Sequence, residues 1–150
     1  MGVLMLTASA VGQSAAKADA PVYDAELAKR LGGNKNGMKN YVLAILKTGP
    51  NDGKFAGKVR DDTFSGHMAN IGRLADEGKL AVAGPFGKND ASFRGIFILN
   101  VATIEEAQKL VDTDPVVKAG IMIVDLYPWF GSASLMATPE IHKKITAPSN

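Results

Sequence analysis

Three stretches of this chain, Tyr41–Lys47, Phe93–Val101 and most of Ile121–Tyr127, are apolar at odd and even positions alike. Successive side chains of an extended strand point to opposite faces, so each such run needs cover on both sides. The sequence between them supplies only two long amphipathic helices, and helices packed on one face leave the other bare. The second face therefore needs a partner, and the same face of a second copy is the simplest one.

The elements follow from local signals. Tyr41–Lys47 is the first strand and ends in the turn cluster Thr48-Gly49-Pro50-Asn51-Asp52-Gly53. From about Asp62, the residues Phe64, His67, Met68, Ile71, Leu74 and Ala75 recur at helical spacing until Gly78. Lys79–Pro85 and Phe93–Val101 are two strands joined by a Gly/Asn/Asp loop, which suggests a hairpin. Thr103-Ile104-Glu105-Glu106 is a capping box opening a second helix through Ala107, Leu110 and Val111. Ile121–Tyr127 is the fourth strand, ending at Pro128-Trp129-Phe130-Gly131. The order βαββαβ is the split unit of ferredoxin-like α+β folds with an antiparallel sheet. Paired face to face, two copies give a two-fold, barrel-like homodimer, and a short helix over Pro139–Ile145 is expected to lie across that dimer.

Residues 41–131 thus form the domain. Residues 21–40 carry a surface helix, Asp24 to Leu31, capped by Asp24 and halted by Gly32-Gly33, and residues 132–150 form a tail. Residues 1–20, rich in small and apolar types, read as a truncated signal peptide or a flexible leader. The first reading implies a periplasmic or secreted protein and the second a cytoplasmic one; the apolar run is too short to span a bilayer, so no membrane association is expected. A net charge of +2 without basic runs argues against nucleic acid. With no cysteine there is no thiol nucleophile or thiolate metal site, and two histidines far apart in the chain make a zinc site unexpected. Gly84 and Gly87 lack the Gly-Lys-Ser/Thr element of a phosphate loop, and no cofactor is expected.

The order and spacing of His67, Leu74 through Gly78-Lys79-Leu80, Ala83-Gly84-Pro85-Phe86, Gly95-Ile96-Phe97-Ile98, Glu105-Glu106-Ala107, Asp114-Pro115, Ala119-Gly120 and Tyr127-Pro128-Trp129 resemble YCII-related proteins. The resemblance spans about ninety residues, a single-domain length. It implies a dimeric α+β barrel similar to muconolactone isomerase, and an acid/base dyad of His67 with Asp114. One branch of that family includes a dehydrochlorinase acting on a chlorinated hydroxyquinol. Val116 departs from the family, where an aromatic often follows the Asp-Pro pair.

His67 shares the apolar face of its helix with Ile71 and Leu74. It is either a core histidine satisfied by a carbonyl or an acid/base oriented by a carboxylate. Asp114 followed by Pro115 is a good helix cap, a role compatible with the dyad. Gly84, Pro85 and Phe86 either end a strand or line a pocket mouth with backbone amides; Arg94 either meets a substrate anion or solvates a strand. Tyr127 and Trp129 either wall a pocket or complete a core or interface. His142 with Lys143 and Lys144 reads as the solvated face of a tail helix, and Ser65 points away from His67 and is no nucleophile. The resulting expectation is a cofactor-independent enzyme with isomerase, lyase or dehydrochlorinase-like chemistry on a small molecule, in which His67 moves a proton and Asp114 fixes its tautomer. The alternative is a non-catalytic dimer that binds a small ligand or serves as a dimerisation module.

Overall fold

The computed structural model describes residues 22–148. The leader expected over residues 1–20 lies outside the described residues. Four antiparallel strands, β1 (Met38–Thr48), β2 (Leu80–Pro85), β3 (Phe93–Leu99) and β4 (Met122–Ser132), form one sheet in the order β2-β3-β1-β4. Helix α1 (Ala25–Leu31) precedes them, α2 (Gly57–Asp76) joins β1 to β2, α3 (Ile104–Val111) and the short α4 (Pro115–Lys118) join β3 to β4, and α5 (Thr138–Ile145) closes the chain. This is the βαββαβ arrangement with an extension at each end.

Alternation sorts the sheet residues. Val42, Ala44 and Leu46 of β1, Phe97 and Leu99 of β3 and Met122 of β4 bury their side chains against Leu74 of α2, Ala107 and Val111 of α3 and Val116 of α4. Leu74 is wholly buried, and cutting it to alanine would cost about 2–5 kcal/mol. The capping box of α3 forms as its sequence dictates: Thr103 accepts from the Glu106 amide, and Glu106 from the Thr103 amide. Asp24 caps α1 at the Leu27 amide, and Gly32 ends it with a left-handed φ of 74°.

The opposite, outer face carries Tyr41, Ala81 and Ile98, covered by Leu135 and Met136 from a 3-10 turn over Ala133–Ala137. The tail thus returns to its own sheet. Beyond that turn, α5 lies along the edge strand β2, and Lys143 reaches Asp76 of α2 at 2.6 Å. Capping an edge strand removes a row of unpaired backbone groups from solvent. The tail helix, expected to lie across a dimer, packs on β2 and α2 of its own chain.

Several bounds differ from the sequence reading. Strand β1 begins at Met38 and β4 runs on through Pro128 to Ser132, because the two pair continuously from Met38↔Ser132 to Thr48↔Met122. Proline is tolerated there because β4 is an edge strand. Helix α2 starts at Gly57 rather than near Asp62, since its first turns are held by polar bonds, Lys58 to Asp62 at 2.7 Å and Arg60 to Asp52, with no apolar repeat to announce them.

Candidate active site

Helix α2 carries His67 at its middle, and the residue is 9% exposed. Its Nδ1 lies 2.8 Å from Oδ2 of Asp114, whose side chain is completely buried. A carboxylate only accepts, so Nδ1 carries the proton and, in the neutral ring, Nε2 carries the lone pair. Among the described residues no buried side-chain nitrogen or oxygen lacks a partner, and Nε2, which has none, is therefore reachable by solvent. The ring stacks on Phe97 at 6.0 Å between centroids and meets the edge of Phe64 at 6.2 Å. Two aromatic rings and a carboxylate fix its plane.

Asp114 divides its oxygens between two tasks. Oδ1 accepts from the Val116 amide at 3.1 Å and caps α4, whose first residue is Pro115; Oδ2 faces His67. Asn70 donates to the same Oδ2 at 3.4 Å, and Arg73 holds Asn70 in turn, Nη2 to Oδ1 at 2.7 Å, while also reaching Thr113 at 3.0 Å. His67, Asn70 and Arg73 stand at three-residue intervals along one side of α2, facing the corner between α3 and α4. Sequence reasoning missed Asn70 and Arg73, although that spacing was the available signal.

His67 lines a cavity of about 500 Å³ between α2 and the sheet, within the size range of small-molecule sites. Its walls are mostly apolar, among them Leu46, Met68, Ile71 and Met122. Gly84, Pro85 and Phe86, at the end of β2, line it as well. Gly84 and Gly95 pass so closely that a Cβ on Gly95 would lie 2.9 Å from the Gly84 carbonyl oxygen, so the two strands can meet there only with a bare backbone.

Arg94 lines the same cavity, and a break in pairing puts it there. Leu46 pairs with Gly95 and Lys47 with Phe93, leaving Arg94 as an extra residue opposite β1. Regular alternation would send Arg94 to the outer face with Ile96 and Ile98; the bulge turns it toward the helices. Its Nη1 touches Oδ1 of Asp52 at 3.3 Å. Arg60 holds that carboxylate more closely, at 2.8 Å, and also the Asp52 carbonyl at 2.9 Å. The hydrogen bond from Arg60 holds the Asp52 carboxyl below the usual carboxylate range, against an opposing effect of burial and with smaller help from charge and from Arg94.

Tyr127 and Trp129 do not join this site. Register places Tyr127 opposite Leu43 and Trp129 opposite Tyr41, on the outer face, and the Tyr41 and Trp129 rings lie 5.7 Å apart. The two-residue period of a strand decides this: the even positions Met122, Val124 and Leu126 face the helices. His142, read from sequence as part of a solvated helix face, lines the cavity from α5. Among the described residues no group of three or more His, Cys, Asp or Glu side chains stands close enough to hold a metal ion.

The family described as the YCII-related domain matches residues 41–130, which include His67, Asp114 and Arg94 but neither α1 nor α5. Among solved structures the chain is similar to 5-chloro-2-hydroxyhydroquinone dehydrochlorinase from Burkholderia phenoliruptrix AC1100 in complex with 2,5-dihydroxybenzoquinone. Identity is 26%, the match covers 59% of this chain and 92% of that chain, and the TM-score is 0.43. No curated protein matches the chain.

Proposed function

The chain belongs to the YCII-related domain family, matched over residues 41–130, and from that premise we propose that it is a small-molecule acid/base enzyme working through His67 and Asp114. The observation that carries the reading is the 2.8 Å bond from His67 Nδ1 to a fully buried carboxylate, on a ring that also borders a largely apolar cavity. That geometry spends one ring nitrogen on orientation and leaves the other for chemistry.

In the reaction, Nε2 takes a proton from a carbon or oxygen of the bound molecule, and the electron pair of that bond moves into the substrate. The imidazolium so formed is stabilised by Asp114, which keeps its own charge. Nε2–H then returns the proton at a different atom, giving an isomer, or the electron pair expels a leaving group, giving an elimination product. Phe64 and Phe97 limit rotation of the ring, so the base meets the substrate from one direction. Gly84, Pro85, Phe86 and Arg94 are assigned to substrate binding, as residues of the same cavity wall. Tyr127 and Trp129 are assigned instead to a homodimer interface: with Ile123 they leave 48%, 37% and 43% of their surfaces exposed on one sheet face, an apolar patch that a second copy would cover.

The test is proton exchange. Small carbonyl compounds and phenols with acidic C–H bonds are incubated with the protein in D2O, and deuterium incorporation is followed by proton NMR. Exchange catalysed by the wild type and abolished in His67→Ala, with the variant still folded, is expected. Wild-type exchange rates in His67→Ala, or no exchange with any compound, would leave the cavity as a ligand-binding site without chemistry.

A further inference from the structure

We infer that the cavity takes small organic anions, and that Arg94 holds the charged group while the apolar walls take the body. The inference rests on the same cavity as the proposed chemistry and adds to it the class of molecule admitted. Its first ground is charge. Arg94 is the one permanently charged residue of the lining, and among the described residues no carboxylate joins it there; the other titratable groups are His67 and His142. Asp114 stands behind His67 and is already committed to it and to the α4 cap.

The second ground is hydrogen-bond capacity. A guanidinium has five N–H donors, and Arg94 uses one of them in a single long contact of 3.3 Å to Asp52. Asp52 is already held by Arg60, which donates to its carboxylate and its carbonyl and lies 5.0 Å over the Phe64 ring. Two arginines facing one carboxylate leave one positive charge over, and Arg60 is the better anchored. The residual charge and the unspent donors therefore belong to Arg94, whose side chain is 29% exposed at the cavity.

The third ground is placement. A bulge re-aims a side chain at the expense of ladder hydrogen bonds, and such irregularities concentrate beside functional sites. This one turns a cation away from the outer face and toward a cavity whose other walls are Leu46, Phe64, Met68, Ile71, Phe97 and Met122. A planar carboxylate or phenolate on an apolar body satisfies both the guanidinium fork and those walls.

The experiment is a set of calorimetric titrations with benzoate, phenylacetate and 4-nitrophenolate, each beside its neutral counterpart, benzamide, phenylacetamide and nitrobenzene. At least one anion is expected to bind about tenfold or more tightly than its neutral counterpart, in keeping with a hydrogen bond to a charged group. Arg94→Gln should bring that ratio close to one. Asp52→Asn, which removes the carboxylate that contacts Arg94 at 3.3 Å, should raise anion affinity. Absence of binding by all three anions, equal binding of anions and neutral counterparts, or a preference that survives Arg94→Gln overturns the inference. A preference lost in His67→Ala but kept in Arg94→Gln would move charge recognition to the dyad and also overturn it. Loss of proton exchange with the Arg94-dependent preference intact would instead count against the catalytic reading alone.

Discussion

Gly66 of α2 rests against Pro115 of α4, so closely that a Cβ at residue 66 would stand 3.0 Å from Pro115 Cγ. The neighbours of these residues in sequence are the two members of the dyad, and the bare glycine is what lets their helices approach. Gly66→Ala should gain up to about 1 kcal/mol of helix propensity and lose a similar amount to the contact. Global stability should therefore change little, while α2 shifts and the His67–Asp114 bond lengthens. The Nδ1–H resonance of His67 checks this; an unchanged resonance would mean that the proline ring yields and the spacing is set elsewhere.

Asp114→Asn separates the two duties of that carboxyl group. The amide oxygen can still cap α4, but its nitrogen now donates toward His67 Nδ1 and stabilises the tautomer with the proton on Nε2. Nitrogen-15 shifts of the imidazole should report that inversion, with a stability loss within about 2 kcal/mol. Catalysed exchange should fall by about a hundredfold or more, in the range of a lost general base. Retention of the wild-type tautomer would show that Phe97 and Phe64, rather than Asp114, set the ring.

The lowered pKa of Asp52 makes a pH prediction whose sign is fixed. A carboxyl group with a depressed folded value contributes stability that is fully present above its unfolded value, about pH 4, and is lost as pH falls through the folded one. Denaturant titrations at about pH 5 and about pH 3 should show a larger fall for the wild type than for Asp52→Asn, which has no such group to protonate. Equal falls would mean that Arg60 and Asp52 are no better paired in the folded chain than in the unfolded one.

Part of this arrangement is written in the sequence in a form that can be read directly. Apolar runs, the Thr103 capping box and the glycine stops each act locally, so the strands and helices follow from neighbours in the chain. Pro128 reads as a strand end because proline lacks a donor, and only pairing with β1 shows that an edge position tolerates it. Arg94 is a harder case: its face depends on a register break involving residues of β1 far away in sequence. His142 sits on a short polar helix whose own pattern gives no hint of the cavity, and its place there depends on how the tail folds back.

His142→Ala tests that return. The residue is exposed, so stability should stay within about 0.5 kcal/mol of the wild type. The dissociation constant of the tightest small anion should rise, because one wall of the cavity is shortened. An unchanged constant would reduce α5 to a cover for the β2 edge.

Trp129 is the chain's one tryptophan, and a Cβ on Gly131 would run into its indole. Gly131→Ala should push the ring away from Tyr41 and shift its fluorescence emission. If the outer face pairs with a second copy, sedimentation velocity should show a weaker dimer in the same variant. An unaltered spectrum would place the indole elsewhere.

The bulge at Arg94 makes the polarity of the cavity a matter of counting rather than of composition. If Arg94 paired with Lys47 in unbroken register, the ladder would run without interruption and alternation would decide its face. The guanidinium would then emerge among Ile96, Ile98 and Tyr127, charging a surface suited to apolar contact and leaving the interior beside His67 electrically silent. One inserted position in a strand thus decides which side of the sheet can attract a charged molecule and which can meet another apolar surface.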